Sequence, residues 1–366
     1  MNKKFVAVFF PIILAISLAS LSEGFFTNPN FIDPKDPIKG QREYTRENAA
    51  KPADQGGYYG GHDTLTSEGM LLKDQVHQQT DKDGGADFRK KMLNEALPWF
   101  RTGAHDEDST KWWDVIPAPP WDYQPPIGPN GSGNFDDHFY NPDTEKGLKG
   151  DLLGNPATSR ANDYFSEITP KYLCKPGKVG GLSSQDRQKM YDLFGRILHL
   201  IQDMGNPAHN KDDLHVFTKT FEDYVNDHWD VIVNSDNFKQ SVTAAEYLSG
   251  NYENFSNKSY PVFYPDEFIK GLANISKNYH TDGMGKISDE QLQENVKALI
   301  PETIKYTAGY IDAMYNFLKD SEGMGETDIC KAPPDPPNPS GDHPDDRFDV
   351  SDEFYWRGSS NSQMTS

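Results

Sequence analysis

Residues 190–204 read MYDLFGRILHLIQDM, with apolar side chains at the i, i+3, i+4 and i+7 spacing of a helix that packs one face against a core. The pattern begins near Ser184, and a helix of this kind must bury its stripe against other elements. Inside the run stand His199 and Asp203, and beyond it Pro207 and His209. Polar side chains in such a stripe need partners. His199 and Asp203 are spaced i, i+4, so they share one helix face and one small volume. Pro207 cannot continue the hydrogen-bond ladder, and it pushes Asn206 out of helical geometry. The chain therefore bends after Met204 and frees His209 to aim at a neighbouring point. These residues alone allow two readings, a hydrogen-bonded core pair or a set of metal ligands.

Helical periodicity recurs at residues 64–79 and 86–101, from about His215 to Asn234, and at residues 266–279. A last helix starts at the capping-box pattern Ser288 to Gln291 and runs towards Leu318, with Pro301 expected to kink or divide it. Strand signals are few, so the expected fold is all-α, a compact multi-helix domain with long loops. Residues 103–154 hold IPAPPWDYQPPIGPNGSG, too rich in Pro and Gly for regular structure.

The first 22 residues carry two lysines, an apolar run and small residues, the pattern of a cleaved secretory signal. Residues 23–57 read as a polar leader or propeptide-like arm, 58–322 as the helical body, and 323–366 as an acidic, Pro-rich tail. A secreted or periplasmic protein is expected. Its two cysteines, Cys174 and Cys330, would then pair as one disulfide. With no Cys cluster, a zinc site has to be built from His and carboxylates. Lys and Arg number 36 against 56 Asp and Glu, a net charge of −20, which excludes nucleic-acid binding through bulk electrostatics. No stable nucleic-acid partner is expected, and the chain reads as a monomer.

Further His and acidic residues flank the 199–209 segment in chain order. His62 stands in GGHDTLTSEGM, Asp106 in GAHDEDS, His138 in FDDHFYNPDT and Glu222 in FTKTFEDYV. On these motifs the sequence resembles the zinc-dependent phospholipase C family, which shares its fold and trinuclear zinc site with the S1/P1-type nucleases. HLIQDMGNPAH matches the family's His-x3-Asp-x5-His with Pro two residues before the last His, and DHFYNPDT looks like its phospholipase-type His motif.

The resemblance implies three zinc ions, or two where the family's amino-terminal Trp ligand is missing; no Trp lies between the signal and His62. Asp106, His138, His199 and Asp203 would hold one, with Asp203 bridging to a second that also takes His62. His209 and Glu222 would hold the third, and His215 would add a ligand only if it precedes the helix. Asp106 would orient or deprotonate the attacking water. Phe135 matches an aromatic of the choline pocket, and Glu107 would face a cationic headgroup. The implied activity is hydrolysis of phosphatidylcholine-like lipids at a membrane surface or lipid aggregate. Two other readings stay open: an S1/P1-type nuclease on single-stranded nucleic acid, and a non-catalytic secreted metal-binding protein.

Overall fold

The computed structural model describes residues 44–52, 55, 57–107, 135–152, 155–168, 171–172, 182–211, 221–241, 264–281 and 287–323. The signal, both cysteines, His215, Trp112, Trp113, Trp121 and the tail lie outside the described residues. Within them the architecture is all-α. The one bridge between extended residues is Asn141 to Lys146, in the turn after His138.

In chain order the helices are α1 (Arg46–Ala49), α2 (His62–Thr80) and α3 (Leu97–Asp106), the last entered through a short turn and the π-helical Arg89–Ala96. After the 3₁₀ turn Phe135–His138 come α4 (Ala157–Ile168), α5 (Ser184–Asp203), α6 (Pro207–Asn210), α7 (Phe221–Asp227), α8 (Trp229–Asn234), α9 (Asp236–Ser241), α10 (Pro265–Ser276) and α11 (Asp289–Gly323). Ser183 caps α5 by accepting from Asp186 N at 3.1 Å. The capping box at α11 forms in both directions: Gln291 N donates to Ser288 Oγ at 3.2 Å, and Ser288 N donates to Gln291 Oε1 at 3.0 Å. Pro301 does not divide α11, which runs through it as one helix. The segment expected to be helical up to Asn234 breaks at His228, between α7 and α8.

Two apolar clusters make the core. One gathers Phe88, Phe100, Phe194, Phe268 and Tyr310, and the other Tyr58, Leu65, Phe221, Trp229 and Ile300. In the first, α3 crosses α5 backbone to backbone. A Cβ on Gly103 would lie 2.0 Å from Asp192 O, and one on Gly195 would lie 2.3 Å from Phe100 O, so glycine on each side sets the separation.

Residues 44–52, within the stretch read as a polar leader or propeptide-like arm, pack on the body. Tyr44 and Ala49 are buried in the second cluster, and Tyr44 Oη donates to Glu68 Oε1 of α2 at 2.8 Å. Among the described residues no helix is long and apolar enough to cross a membrane.

Candidate metal centre

The polar residues of the stripe do not disperse into separate hydrogen bonds; they converge. α5 delivers His199 and Asp203 near its end. Asn206 then adopts the extended backbone expected before proline and caps α6, its Oδ1 accepting from Ala208 N at 3.0 Å. Pro207 opens α6, which turns His209 back towards the site. His62 is the first residue of α2. The glycine pair before it has a reason: a Cβ on Gly60 would fall 2.6 Å from Val225 O, so only glycine brings the start of α2 onto α7, the helix that carries Glu222. His138 closes the 3₁₀ turn, and Phe139 stacks on His209 with centroids 4.6 Å apart.

Three rings surround the Asp203 carboxylate: His62 Nε2 at 3.3 Å from Oδ1, and His138 Nδ1 at 3.0 Å and His199 Nε2 at 3.3 Å from Oδ2. His138 Nδ1 and His199 Nε2 face each other at 3.2 Å, and the rings of His62 and His199 stack at 3.6 Å. His62, His199 and Asp203 each offer one ligand atom within 4.8 Å of the others. Close by, His209 Nε2 lies 3.4 Å from Glu222 Oε1, which also accepts from Asn206 Nδ2. His62, His199, Asp203 and Glu222 are fully buried.

His199 Nδ1 donates to the Ala104 carbonyl at 2.6 Å, and His209 Nδ1 donates to the His138 carbonyl at 2.9 Å. A carbonyl only accepts, so each Nδ1 carries the proton and each Nε2 of a neutral ring carries a lone pair. Those lone pairs point at the carboxylates of Asp203 and Glu222; at Asp203 an Nδ1–H of His138, 3.0 Å from Oδ2 and 3.2 Å from His199 Nε2, can ease the repulsion, and a cation would relieve it at both. The cation can be a second ring proton. Burial alone would lower His209, but the Asp203 and Glu222 carboxylates outweigh it and raise it to about 9. Asp203 is held well below the usual carboxylate range because, against its burial, His199, His209 and His138 all favour the charged form. The cation can equally be a metal, and the donor set of imidazole nitrogen and carboxylate oxygen with no thiolate fits Zn²⁺. The outward Nδ1 bonds supply the orienting partners that metal-bound histidines require.

Two expected site residues also meet partners outside the His62–His199–Asp203 triplet. Asp106 meets His105 Nδ1 at 3.0 Å, its side chain is 39% exposed, and the His62–His199–Asp203 triplet closes without it. Glu107, expected to face a headgroup, is turned inward. It is buried, accepting from Tyr164 Oη at 2.6 and 2.7 Å and from Arg196 Nη1 at 2.9 Å, with Arg160 Nε at 3.4 Å and His138 Nε2 at 4.0 Å. Burial alone would raise its carboxyl; Arg196, His138 and Arg160 reverse that and hold it below the usual range. Arg160 on α4 and Arg196 on α5, both distant from GAHDEDS in sequence, hold this carboxylate inward. Phe135 opens the 3₁₀ turn, and its side chain lies outside the described residues. Sequence reasoning also missed Gln202 and Asn206, which touch His62 and Glu222. Gln202 was visible as a third polar residue in the apolar stripe.

No protein-family model matches the chain, and no curated protein matches it. Among solved structures it is similar to an alpha toxin from Clostridium absonum, at 17% identity and TM-score 0.44, and to an alpha-toxin of Clostridium perfringens from an avian strain, at 16% and 0.45. Each match covers 72% of this chain and 65% of the other, so the chain spans about two thirds of the length of the structures it matches. At these values the likeness supports no inference about activity.

Proposed function

We propose that the chain is a zinc-dependent phosphodiester hydrolase of the phospholipase C type, cleaving the glycerol-side P–O bond of phosphatidylcholine-like lipids. The observation that carries the reading is the set of inward lone pairs of His199 and His209, each aimed at a buried carboxylate and each fixed by an outward Nδ1–H. His62, His138, His199 and Asp203 would hold zinc on one side, and His209 and Glu222 on the other. Zinc bound there would supply Lewis acidity towards a phosphodiester and lower the pKa of water.

The chain's own residues do the rest. Ala104 O and His138 O hold two ligand rings in place, and Asn206 holds the Glu222 carboxylate. Asp106, partly exposed at the end of α3, accepts the proton of the attacking water at a carboxylate oxygen. Water adds to phosphorus as its proton passes to Asp106, the bond to the glycerol oxygen breaks, that oxygen takes up a proton from Asp106 or solvent, and diacylglycerol and phosphorylated headgroup leave. The His-Phe-Tyr-Asn-Pro-Asp wording around His138 supports lipid over nucleic acid as substrate.

The test pairs two assays on purified protein, phosphocholine release from lecithin and nucleotide release from single-stranded DNA, with metal analysis alongside. Expected are bound zinc, phosphocholine release, and loss of both in Asp203→Ala. Nucleotide release alone would replace the lipid reading with the nuclease, and absence of bound zinc would sink both.

A further inference from the structure

Gln202 sits one residue before Asp203, wholly buried. Its amide orientation is fixed from outside the site. On α11, Thr307 donates its hydroxyl proton to the Thr303 carbonyl at 2.8 Å, so towards Gln202, 3.3 Å away, its Oγ1 can only accept. That places Gln202 Nε2 on the α11 side, where it also reaches Thr66 Oγ1 at 2.9 Å. Gln202 Oε1 is thereby left facing His62 Nδ1 at 2.9 Å. An amide oxygen only accepts, so Nδ1 must carry the ring proton. Nε2, 3.3 Å from Asp203 Oδ1, is then the lone-pair nitrogen.

We propose that Gln202 is a positioning residue: oriented by Thr307, it locks His62 in the Nδ1–H tautomer and so presents Nε2 to the cage. His199 and His209 take the same tautomer from main-chain carbonyls, whereas His62 stands at the open start of α2 and takes it from a side chain. The statement that Nε2 serves as a ligand rests on the zinc reading above; the tautomer does not.

Nitrogen-15 NMR of the imidazoles at alkaline pH, on metal-free and zinc-loaded protein, reads the tautomer directly, and chelator competition reads zinc affinity. In the wild type His62 is expected as Nδ1–H in both states. Gln202→Leu should mix the tautomers and weaken zinc binding about 10- to 100-fold, the usual effect of losing such an orienting partner. Thr307→Val should do so to a smaller extent, while Thr307→Ser, which keeps the hydroxyl, should match the wild type. An Nε2–H His62 in the wild type overturns the proposal, as does a Gln202→Leu protein with unchanged tautomer and affinity. If Gln202→Leu fails to fold, the wild-type spectrum and the Thr307 pair decide. A wild type that binds no zinc sinks the functional reading alone, because the metal-free spectrum still judges Gln202.

Discussion

Asp312 shows how much a single half-buried carboxylate contributes away from the site. It faces His77 Nε2 at 3.0 Å and Lys73 Nζ at 3.2 Å, while His77 Nδ1 meets Asp81 at 2.9 Å. Burial alone would raise the Asp312 carboxyl, but His77 and Lys73 outweigh it and hold it below the usual range. A depressed folded-state pKa gives stability that is full above the unfolded value, about 4, and is lost as pH falls through the folded value. Asp312→Asn is therefore expected to cost about 2 kcal/mol at neutral pH, the loss of hydrogen bonds to a charged group. It should also flatten the decline in melting temperature below about pH 4; parallel melting curves for the two proteins would count against it. Glu107 tests a different point. Glu107→Ala leaves Arg196 and Arg160 without their shared carboxylate and should destabilise by about 3 kcal/mol. If Glu107 contacted substrate instead, Ala would raise KM and leave the melting temperature alone.

At the scale of elements, the crossing of α3 and α5 holds the carbonyl of Ala104 against His199, so the separation of these helices also sets the site. Gly195→Val is expected to destabilise by about 1–3 kcal/mol through overpacking against Phe100 O, and to weaken zinc binding with it. A Gly195→Val protein that melts like the wild type would show the crossing to be slack. The helices around this crossing were legible because their stripes are long: residues 64–79 and 184 onward were expected, and α2 and α5 formed there. The bend at Pro207 and the cap at Ser288 were legible because each is local backbone chemistry. α4 was overlooked although Ala157, Ala161, Tyr164, Phe165 and Ile168 lie on one face, because Pro- and Gly-rich neighbours read as loop. α1 has 4 residues, too few for any period to show. In the site, residue types and order singled out His62, His199 and Asp203, which the fold brings together, but the burial of Glu107 depends on side chains from other helices. Local motifs cannot carry that information.

For the molecule as a whole, the start of the described chain belongs to the core. Truncation at Tyr58 would take the Tyr44 hydroxyl and the Arg46 guanidinium from fully buried Glu68 and strip Tyr44 and Ala49 from the second cluster. A loss of about 3–5 kcal/mol is expected, read by denaturant unfolding. Unchanged stability would show that this stretch adds nothing to the core. Chelation should lower the melting temperature, and added zinc should restore it, since an ion bound only by the folded state stabilises that state. The cage also has a history in time. His62 and Gln202 are 140 residues apart in sequence, and His138 and His209 are 71 apart. No short segment brings the five elements that carry the proposed ligands together, so these long loops must close before an ion could find its full set of donors. Affinity alone discriminates poorly among divalent metals, so local supply weighs heavily in which ion is captured. An enclosure completed this late would take its metal from the compartment where folding ends, and the route of the unfolded chain would become part of its metal specificity.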